Sequence, residues 1–435
     1  MKILKITSLF AFIVMFFAYC TKTDQVVVSA TPNTTDLIAL KTTTAPTLDG
    51  AIDAGWDKAQ KLSITMTVPD PGNNLFAGYN GIQYKTTLRA MYDDQYIYFL
   101  AEYNDPDKSV NVQPWYFNPT TKLWAQEGSS RTYDANGVLT REGWGEDKFA
   151  MLFNIDHSTP KFETQTCYAS CHVFTPYLNY AVTPAVMVSN AGSGNHYTNG
   201  AQEKIDMWWA HLSKDILFGQ MDDNYQDWAG GPGVTGLVGG SGNGRHVDGI
   251  TVSGANTTWP YAPTYTTTPA QGGYSNKQNL KLDGTGTSVS VPMWVVPGEA
   301  NYYILATDTL AGGKAKKITG VSSTGVLTYS GGTIDPTTGT DYLRTDGVSG
   351  ATAPKAIPSY IGSALLGERA DISAKAVHTG TGWIIEYKRK LKTADVLKQD
   401  VDFSSLEDRV FGVALWDRSN NQHAIQPNLT LKFAK

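Results

Sequence analysis

The residues best suited to do chemistry in this chain lie together in the segment CYASCH, residues 167 to 172. Two thiols followed directly by a histidine are the groups that attach a c-type haem. Cys167 and Cys171 would add to the two vinyl groups, and His172 would bind the iron from one side. Three residues separate the cysteines here, where the usual motif has two. Because one extra residue can bulge while His172 keeps its place, the sequence predicts one covalent haem c.

Three other roles for this segment stay open on the sequence alone. A local disulfide between Cys167 and Cys171 would account for the cysteines but not for His172. A zinc site needs about four ligands, and only His157, His196 or acidic residues could complete it. A catalytic cysteine beside a histidine would need a third, orienting group, which the sequence does not indicate.

The second axial ligand of the iron must come from a small set of histidines and methionines. The segment EKIDMWWAHLSKD, residues 203 to 215, is the best candidate for a helix, and Met207 and His211 would share one face of it. Met151, on a predicted strand upstream of the cysteines, is a third candidate. Each of these side chains could instead be packed in a core. The choice matters because a methionine ligand gives the iron a higher potential than a second histidine.

The N-terminus has the pattern of a bacterial export signal. Two lysines precede an apolar stretch, residues 6 to 19, that is shorter than the roughly 18 residues a membrane-spanning helix needs. Cys20 follows in FAYC, which resembles a lipoprotein cleavage box; an ordinary signal with an incidental cysteine is the alternative. We therefore expect a signal peptide at 1–19, a lipid-anchored tether at 20–45, and a mature protein in the periplasm or on the outer membrane surface.

The rest of the chain, residues 46–435, favours an all-β fold. Charged residues make up only 17%, glycine is abundant, and runs such as GWIIEYKRKL and FGVALWD alternate with a period of two. We expect an antiparallel β-sandwich with short helices and with Gly-rich insertions near 229–257 and 310–354. The net charge of -5 and the lack of a basic stripe argue against a nucleic-acid partner.

Six segments in the same order resemble the haem-binding domain of ethylbenzene dehydrogenase gamma subunits and of related cytochrome c-552 or dimethylsulfoxide-reductase-like haem proteins. They are LDGAIDAGWDKA, MYDDQYIYFLAEYND, GWGEDKFAMLFNI, CYASCH, DMWWAHLSKDILFGQMDDNYQD and the closing strands from GERADISAKAV to LTLKF. The first segment also resembles the opening of family 9 carbohydrate-binding modules. The resemblance implies two antiparallel sheets with a haem held at one end by loops.

The resemblance also implies ligands and a partner. In the gamma subunits the haem is non-covalent, has methionine and lysine ligands, and relays electrons from a molybdenum-containing catalytic subunit. Here CYASCH implies a covalent haem with His172 as the proximal ligand, and His211 stands where many relatives carry lysine.

The sequence therefore predicts an exported, lipid-anchored c-type cytochrome that acts as an electron carrier or electron-transfer subunit more readily than as an enzyme. Its redox partner would be a molybdoenzyme, a multihaem cytochrome or another member of a respiratory chain. One alternative is a cell-surface carbohydrate-binding lipoprotein without haem, in which Trp144, Trp208, Trp209 and Trp228 would stack on sugar rings. Another is an enzyme that uses an open sixth position of the iron for an oxidant such as peroxide.

Overall fold

A computed structural model of the chain describes most of the region from Thr35 to the C-terminus. The described residues are 35–69, 76, 78–134, 138–141, 143–170, 197–198, 200, 202–227, 244–249, 272–299, 303–339, 341–343 and 355–435. Four short strands, 177–179, 186–188, 251–253 and 256–258, are described by their backbone alone. Cys20, Cys171, His172 and Trp228 lie outside the described residues, as do the predicted signal peptide and most of the Gly-rich stretch near 229–257.

Twelve strands of this region form one large sheet. They are β1 (Asp36–Lys41), β2 (Leu62–Thr67), β3 (Gln83–Tyr92), β4 (Tyr96–Asn104), β5 (Glu146–Asn154), β6 (Ile205–His211), β7 (Gln220–Gln226), β8 (Arg245–Val247), β9 (Ile372–His378), β10 (Gly382–Lys390), β11 (Arg409–Ser419) and β12 (Ala424–Phe433). Ten of them close into a ring in the order β2-β3-β4-β10-β9-β7-β6-β5-β11-β12, and β12 returns to β2. These pairs are antiparallel, whereas β1 runs parallel to β12 and β3.

The inner face of the closed sheet encloses the main hydrophobic core. Along β5, Phe149, Met151 and Phe153 point inward, and Trp208 and Ala210 do so on β6, because successive side chains of a strand point to opposite faces. Full burial of one large apolar side chain stabilises the fold by roughly 1.5–3 kcal/mol. The predicted all-β, antiparallel fold is confirmed, and both layers of the expected sandwich belong to one continuous sheet.

The remaining elements are short. Further strands are Trp115–Asn118, Leu123–Gln126, Thr132–Tyr133, Leu139–Arg141, Tyr177–Asn179, Val186–Val188, Thr251–Ser253, Asn256–Thr258, Tyr274–Ser275, Gln278–Lys281, Ser288–Val291, Trp294–Val295, Ile304–Leu305, Lys316–Val321, Leu327–Tyr329, Gly332–Ile334 and Tyr360–Gly362. One α-helix spans Phe162–Gln165, and 3-10 helices span Ala54–Lys58, Ile155–His157, Thr166–Ala169, Asp215–Phe218, Ala306–Thr309 and Gly367–Ala370. In the described part of the chain, none of the helices has the length and apolar character needed to cross a membrane.

Part of the Gly-rich insertion near 310–354 is a small sheet and not a loop. Its strands pair in antiparallel order and bury Ile318 and Leu327 against Trp115 and Trp124 from an earlier segment of the chain. The insertion thus contributes to a second hydrophobic core, which its glycine content conceals in the sequence.

The predicted helix at 203–215 is wrong, because this segment is strand β6 followed by a 3-10 turn. Trp208 packs in the main core, while Met207 on the other side of the strand is also buried. A strand that is buried on both faces lacks the alternation of polar and apolar residues by which a strand is recognised. Met207 and His211 still share one face, since residues four apart lie on the same side of a strand as well.

Candidate functional site

Two of the predicted ligands, Met207 and His211, lie on the outer face of the closed sheet, where β6, β5 and β11 are neighbours. Their pairing register arranges the outward side chains in three rows, which we call the three-row face. The rows are, in order, Met207, Leu152 and Gly412; Trp209, Ala150 and Ala414; and His211, Lys148 and Trp416. Successive rows lie about 7 Å apart, because two residues of an extended strand span nearly that length.

Cys167 lies directly over the first row. It belongs to the 3-10 helix Thr166–Ala169, and its Sγ would be only 2.5 Å from a Cβ at Gly412. The glycine therefore allows the thiol to reach the surface of β11. Thr166 holds the turn in place: it has a positive φ of 42°, and its hydroxyl accepts a hydrogen bond from the Asn428 amide at 3.1 Å. Cys167 is almost fully buried, in an apolar cluster with Met207.

The middle row is made of small side chains bordered by large rings. Ala150 and Ala414 form the floor, and both belong to a cluster that includes Trp416 and the edge of Trp209. Because β6 and β11 flank β5, the two indoles lean toward each other above β5, where their ring centroids are 5.6 Å apart and nearly parallel. The small floor residues leave the space that these rings fill.

His211, in the third row, has one ring nitrogen fixed by a buried carboxylate. Its Nδ1 lies 2.9 Å from Oε1 of Glu146, which Lys214 also contacts at 3.3 Å. Although burial opposes ionisation, Lys214 and His211 hold the pKa of Glu146 well below its usual range. Burial lowers the pKa of His211, so the ring is neutral near pH 7. A carboxylate only accepts hydrogen bonds, so Nδ1 carries the proton and Nε2 has the free lone pair that metal-binding histidines use.

Met207 lies two rows from His211, at the end of the face where Cys167 sits. Met207 and Cys167 belong to one apolar cluster. Sδ of Met207 accepts a hydrogen bond from Nε2 of Gln226 at 3.7 Å. Four residues of extended strand separate Met207 and His211 by about 13 Å. The two candidates therefore cannot both bind one iron.

Met151 occupies the opposite side of β5. It packs in the main core, where the hydroxyl of Tyr387 donates a hydrogen bond to its Sδ at 2.7 Å. The structure therefore does not bring Met151 to the face that carries Cys167. The alternation of the strand explains this, because Leu152 and Ala150 on either side point outward.

Comparison with known families decides the class of this chain. The model of the family described as ethylbenzene dehydrogenase matches residues 53–427, nearly the whole described region. The chain belongs to the ethylbenzene dehydrogenase family. No curated protein sequence matches it. Among solved structures it is similar to a family 9 carbohydrate-binding module from Caldicellulosiruptor kristjanssonii.

Two complexes of that module match. For the complex with glucose, identity is 8%, coverage is 92% of this chain and 95% of the other, and the TM-score is 0.27. For the complex with cellotriose, identity is 8%, coverage is 91% of this chain and 92% of the other, and the TM-score is 0.25.

Several residues of the three-row face could not be predicted from the sequence of this family member. Lys148 is buried beside the two indoles, with Nζ 5.5 Å from the ring centre of Trp209 and 5.4 Å from that of Trp416. Burial lowers the pKa of Lys148 to about 8. The only sequence signal for the floor is the alternation of small residues, Gly412 and Ala414, within the strand FGVALW.

Three of the residues proposed for sugar or zinc binding, Trp208, Trp209 and His157, contact other side chains. Trp208 is fully buried in the main core, and Trp209 packs against the ring of His211 at 4.7 Å. The ring nitrogens of His157 contact Glu163 at 2.9 Å and Arg409 at 2.7 Å. Trp144 is half-buried, and His196 lies outside the described residues. Within the described ranges, none of the groups suited to hold a metal ion includes a cysteine.

Proposed function

We propose that this member of the ethylbenzene dehydrogenase family is a c-type cytochrome that carries one haem c, attached through Cys167 and Cys171, and exchanges electrons with a protein partner. The observation that carries the proposal is the position of Cys167 over Gly412, at the edge of the three-row face, which also presents His211. When bound, the haem would supply an iron that alternates between two oxidation states.

The described residues place an apolar surface beside a thiol and an imidazole. On the three-row face the indoles of Trp209 and Trp416 cover the small side chains of Ala150 and Ala414. A thiol at one end and an imidazole two rows away supply an attachment point and a ligand. Cys171 and His172 follow Cys167 within five residues, and we propose them as the second thioether and the proximal ligand.

We propose His211, and not Met207, as the distal ligand. Met207 packs against Cys167, and its sulfur already accepts a hydrogen bond. His211 lies farther from the cysteine, and its Nε2 keeps a free lone pair. Glu146 fixes the tautomer of His211 and its orientation. Two histidine ligands would leave no open position for a peroxide and would keep the potential low.

The location and partners form the second part of the proposal. Members of this family are subunits of multi-protein complexes, which supports a protein partner. We propose a molybdoenzyme or a multihaem cytochrome as that partner, and a membrane attachment through a lipid on Cys20 after export to the periplasm or the outer membrane surface. The motif CYASCH supports export, because a covalently held haem is retained outside the cytoplasm.

A haem-stained denaturing gel with a pyridine haemochrome spectrum tests the attachment. The protein is made with c-type maturation as the wild type and as Cys167→Ser, with Cys20→Ser as the matched control. We expect haem on the wild-type and Cys20→Ser bands and strongly reduced haem on Cys167→Ser. The proposal fails if the wild-type band lacks haem while a control cytochrome is matured in the same cells, or if Cys167→Ser keeps both thioether signatures in its spectrum.

A further inference from the structure

Four aromatic rings, three of them on the three-row face, form a continuous stack that we call the ring column. In order, the rings belong to His211, Trp209, Trp416 and His423. Successive ring centroids are 4.7, 5.6 and 4.2 Å apart, and successive ring planes are inclined by 26°, 29° and 23°. Such short separations and small tilts are typical of stacked rings. The ring column therefore connects β6 and β11 with the turn that follows β11.

The two ends of the ring column have different surroundings. His211 is the proposed distal ligand, and Glu146 fixes its ring from behind. His423 lies in the turn between β11 and β12, in which Asn420 and Asn421 are exposed. The ring of His423 is half-buried, and its Nδ1 lies 2.5 Å from the carbonyl oxygen of Asn421. The ring column thus runs from the proposed ligand to a turn at the protein surface.

The inner rings of the column are held in place by packing and by one lysine. Trp416 is buried, and the edge of Trp209 packs in the same apolar cluster. Nζ of Lys148 lies 5.4 Å from the ring centre of Trp416 and donates a hydrogen bond to the carbonyl oxygen of Asn420 at 3.1 Å. Lys148 therefore joins the column to the surface turn. Because the rings are fixed in contact, the electronic coupling between them is preserved.

Two cationic side chains lie beside the indoles of the column. Cζ of Arg245 is 4.2 Å from the ring centre of Trp209, and Nζ of Lys148 is 5.5 Å from the same centre. A cation in this position is attracted by the electrons of the ring. It also opposes the removal of an electron from that ring, because the oxidised indole would place a second positive charge beside it. The indoles are therefore suited to mediate electron tunnelling without being oxidised themselves.

We propose that electrons pass between the haem iron and the redox partner along the ring column, entering at His211 and leaving at His423. This inference rests on the proposed function. One electron leaves the ferrous iron, which becomes ferric, and reduces a one-electron acceptor protein docked over the turn 420–423; no bond forms or breaks. Tunnelling weakens steeply with distance and is faster through groups in contact than across gaps. A stack without a gap between its rings therefore favours this route.

The route is tested by flash photolysis of the haem-bearing protein with a ruthenium tris-bipyridine label on Asn421→Cys. The Cys20→Ser background leaves the label one free thiol. The excited label gives one electron to the ferric iron, and transient absorption measures the rate. Trp416→Leu should slow this transfer by an order of magnitude or more. Trp416→Phe keeps a ring and should keep most of the rate, and Trp294→Leu, the same change at a half-buried indole outside the column, should not alter it.

A second variant, His423→Leu, keeps the test informative if Trp416→Leu does not fold, because it changes only the half-buried end of the column. This variant should slow the transfer as well. The midpoint potentials of all variants should equal that of the wild type, since none of the changed residues is a proposed ligand. The inference is overturned if the leucine variants transfer electrons as fast as the wild type, or if a shifted potential accounts for a slower rate. A wild type without haem on the stained gel would overturn the proposed function and this inference together.

Discussion

Replacing Gly412 with alanine tests whether Cys167 must reach the surface of β11. The new methyl group would lie 2.5 Å from Sγ of Cys167 and 3.4 Å from Oγ1 of Thr166. Heavy atoms in good contact are about 3.5–4.0 Å apart, so the thiol has to move by about 1 Å. Overpacking of this kind costs about 1–3 kcal/mol. That exceeds the roughly 0.4–1 kcal/mol that a glycine-to-alanine change gains by restricting the unfolded chain.

We expect a net loss of about 1–2 kcal/mol in the free energy of unfolding of the haem-bearing protein. For the unit Thr35–Lys435, the usual entropy of unfolding per residue converts this loss to a fall in Tm of about 1–2 °C. Haem per chain should fall as well. In protein made without haem maturation the loss should be smaller, because an unattached thiol can rotate away from the methyl group.

Differential scanning calorimetry of both forms measures this difference, with Gly320→Ala as the control. A Cβ at Gly320 meets its nearest neighbour, Thr328, at 3.5 Å, which is an ordinary contact. That variant should stay within about 0.5 kcal/mol of the wild type. Equal stability and haem content in Gly412→Ala and Gly320→Ala would refute the argument that the thiol needs the space over β11.

Three further predictions concern the third row. His211→Met should raise the midpoint potential by on the order of 0.1 V; a potentiometric titration that finds no change would point to Met207 as the ligand. Glu146→Gln should destabilise the protein by about 1–3 kcal/mol at pH 7. The pKa of Glu146 is depressed in the folded protein. Its contribution to the free energy of unfolding is therefore present above the unfolded pKa of about 4.3 and is lost as the pH falls further. Urea unfolding between pH 3 and 6 should show a flatter pH dependence for the variant than for the wild type. Burial lowers the pKa of Lys148 to about 8, so its buried charge destabilises the fold fully below pH 8 and less as the pH rises toward the unfolded pKa of about 10.4. The wild type should therefore gain stability between pH 8 and 10, and Lys148→Met should remove this gain. An unchanged pH profile in the variant would contradict the prediction.

The main strands could be predicted from the sequence wherever one face is more polar or a turn is marked. The hairpin LRAMYDDQYIYFLAEYND is β3 and β4, with Asp93 and Asp94 between them, and GWIIEYKRKL is β10. The segment of β6 has no strand-like alternation in the sequence, because both faces of the strand are buried. The small sheet within 316–334 was hidden by its glycines and threonines, which are typical of loops.

Within the candidate site, only the residues with rare and chemically distinctive side chains could be predicted from the sequence. Cys167, Met207 and His211 can be named because thiols, thioethers and imidazoles are few. Gly412 and Glu146 cannot be, because their roles depend on pairings that no local pattern encodes. Gly412 is 245 positions after Cys167 in the chain. The two meet because β11 pairs with β5 and the turn that holds Cys167 lies over β11.

The alternation of β6 limits how this protein can change in length. Asp206 and Trp208 face inward, while Met207 and His211 face outward. Inserting or deleting a single residue within the strand would turn an aspartate outward and a ligand candidate into the core, because a slip of one position exchanges the two faces. Homologous chains should therefore differ in length only outside β6. The inward-facing and outward-facing residues of this strand should be conserved together.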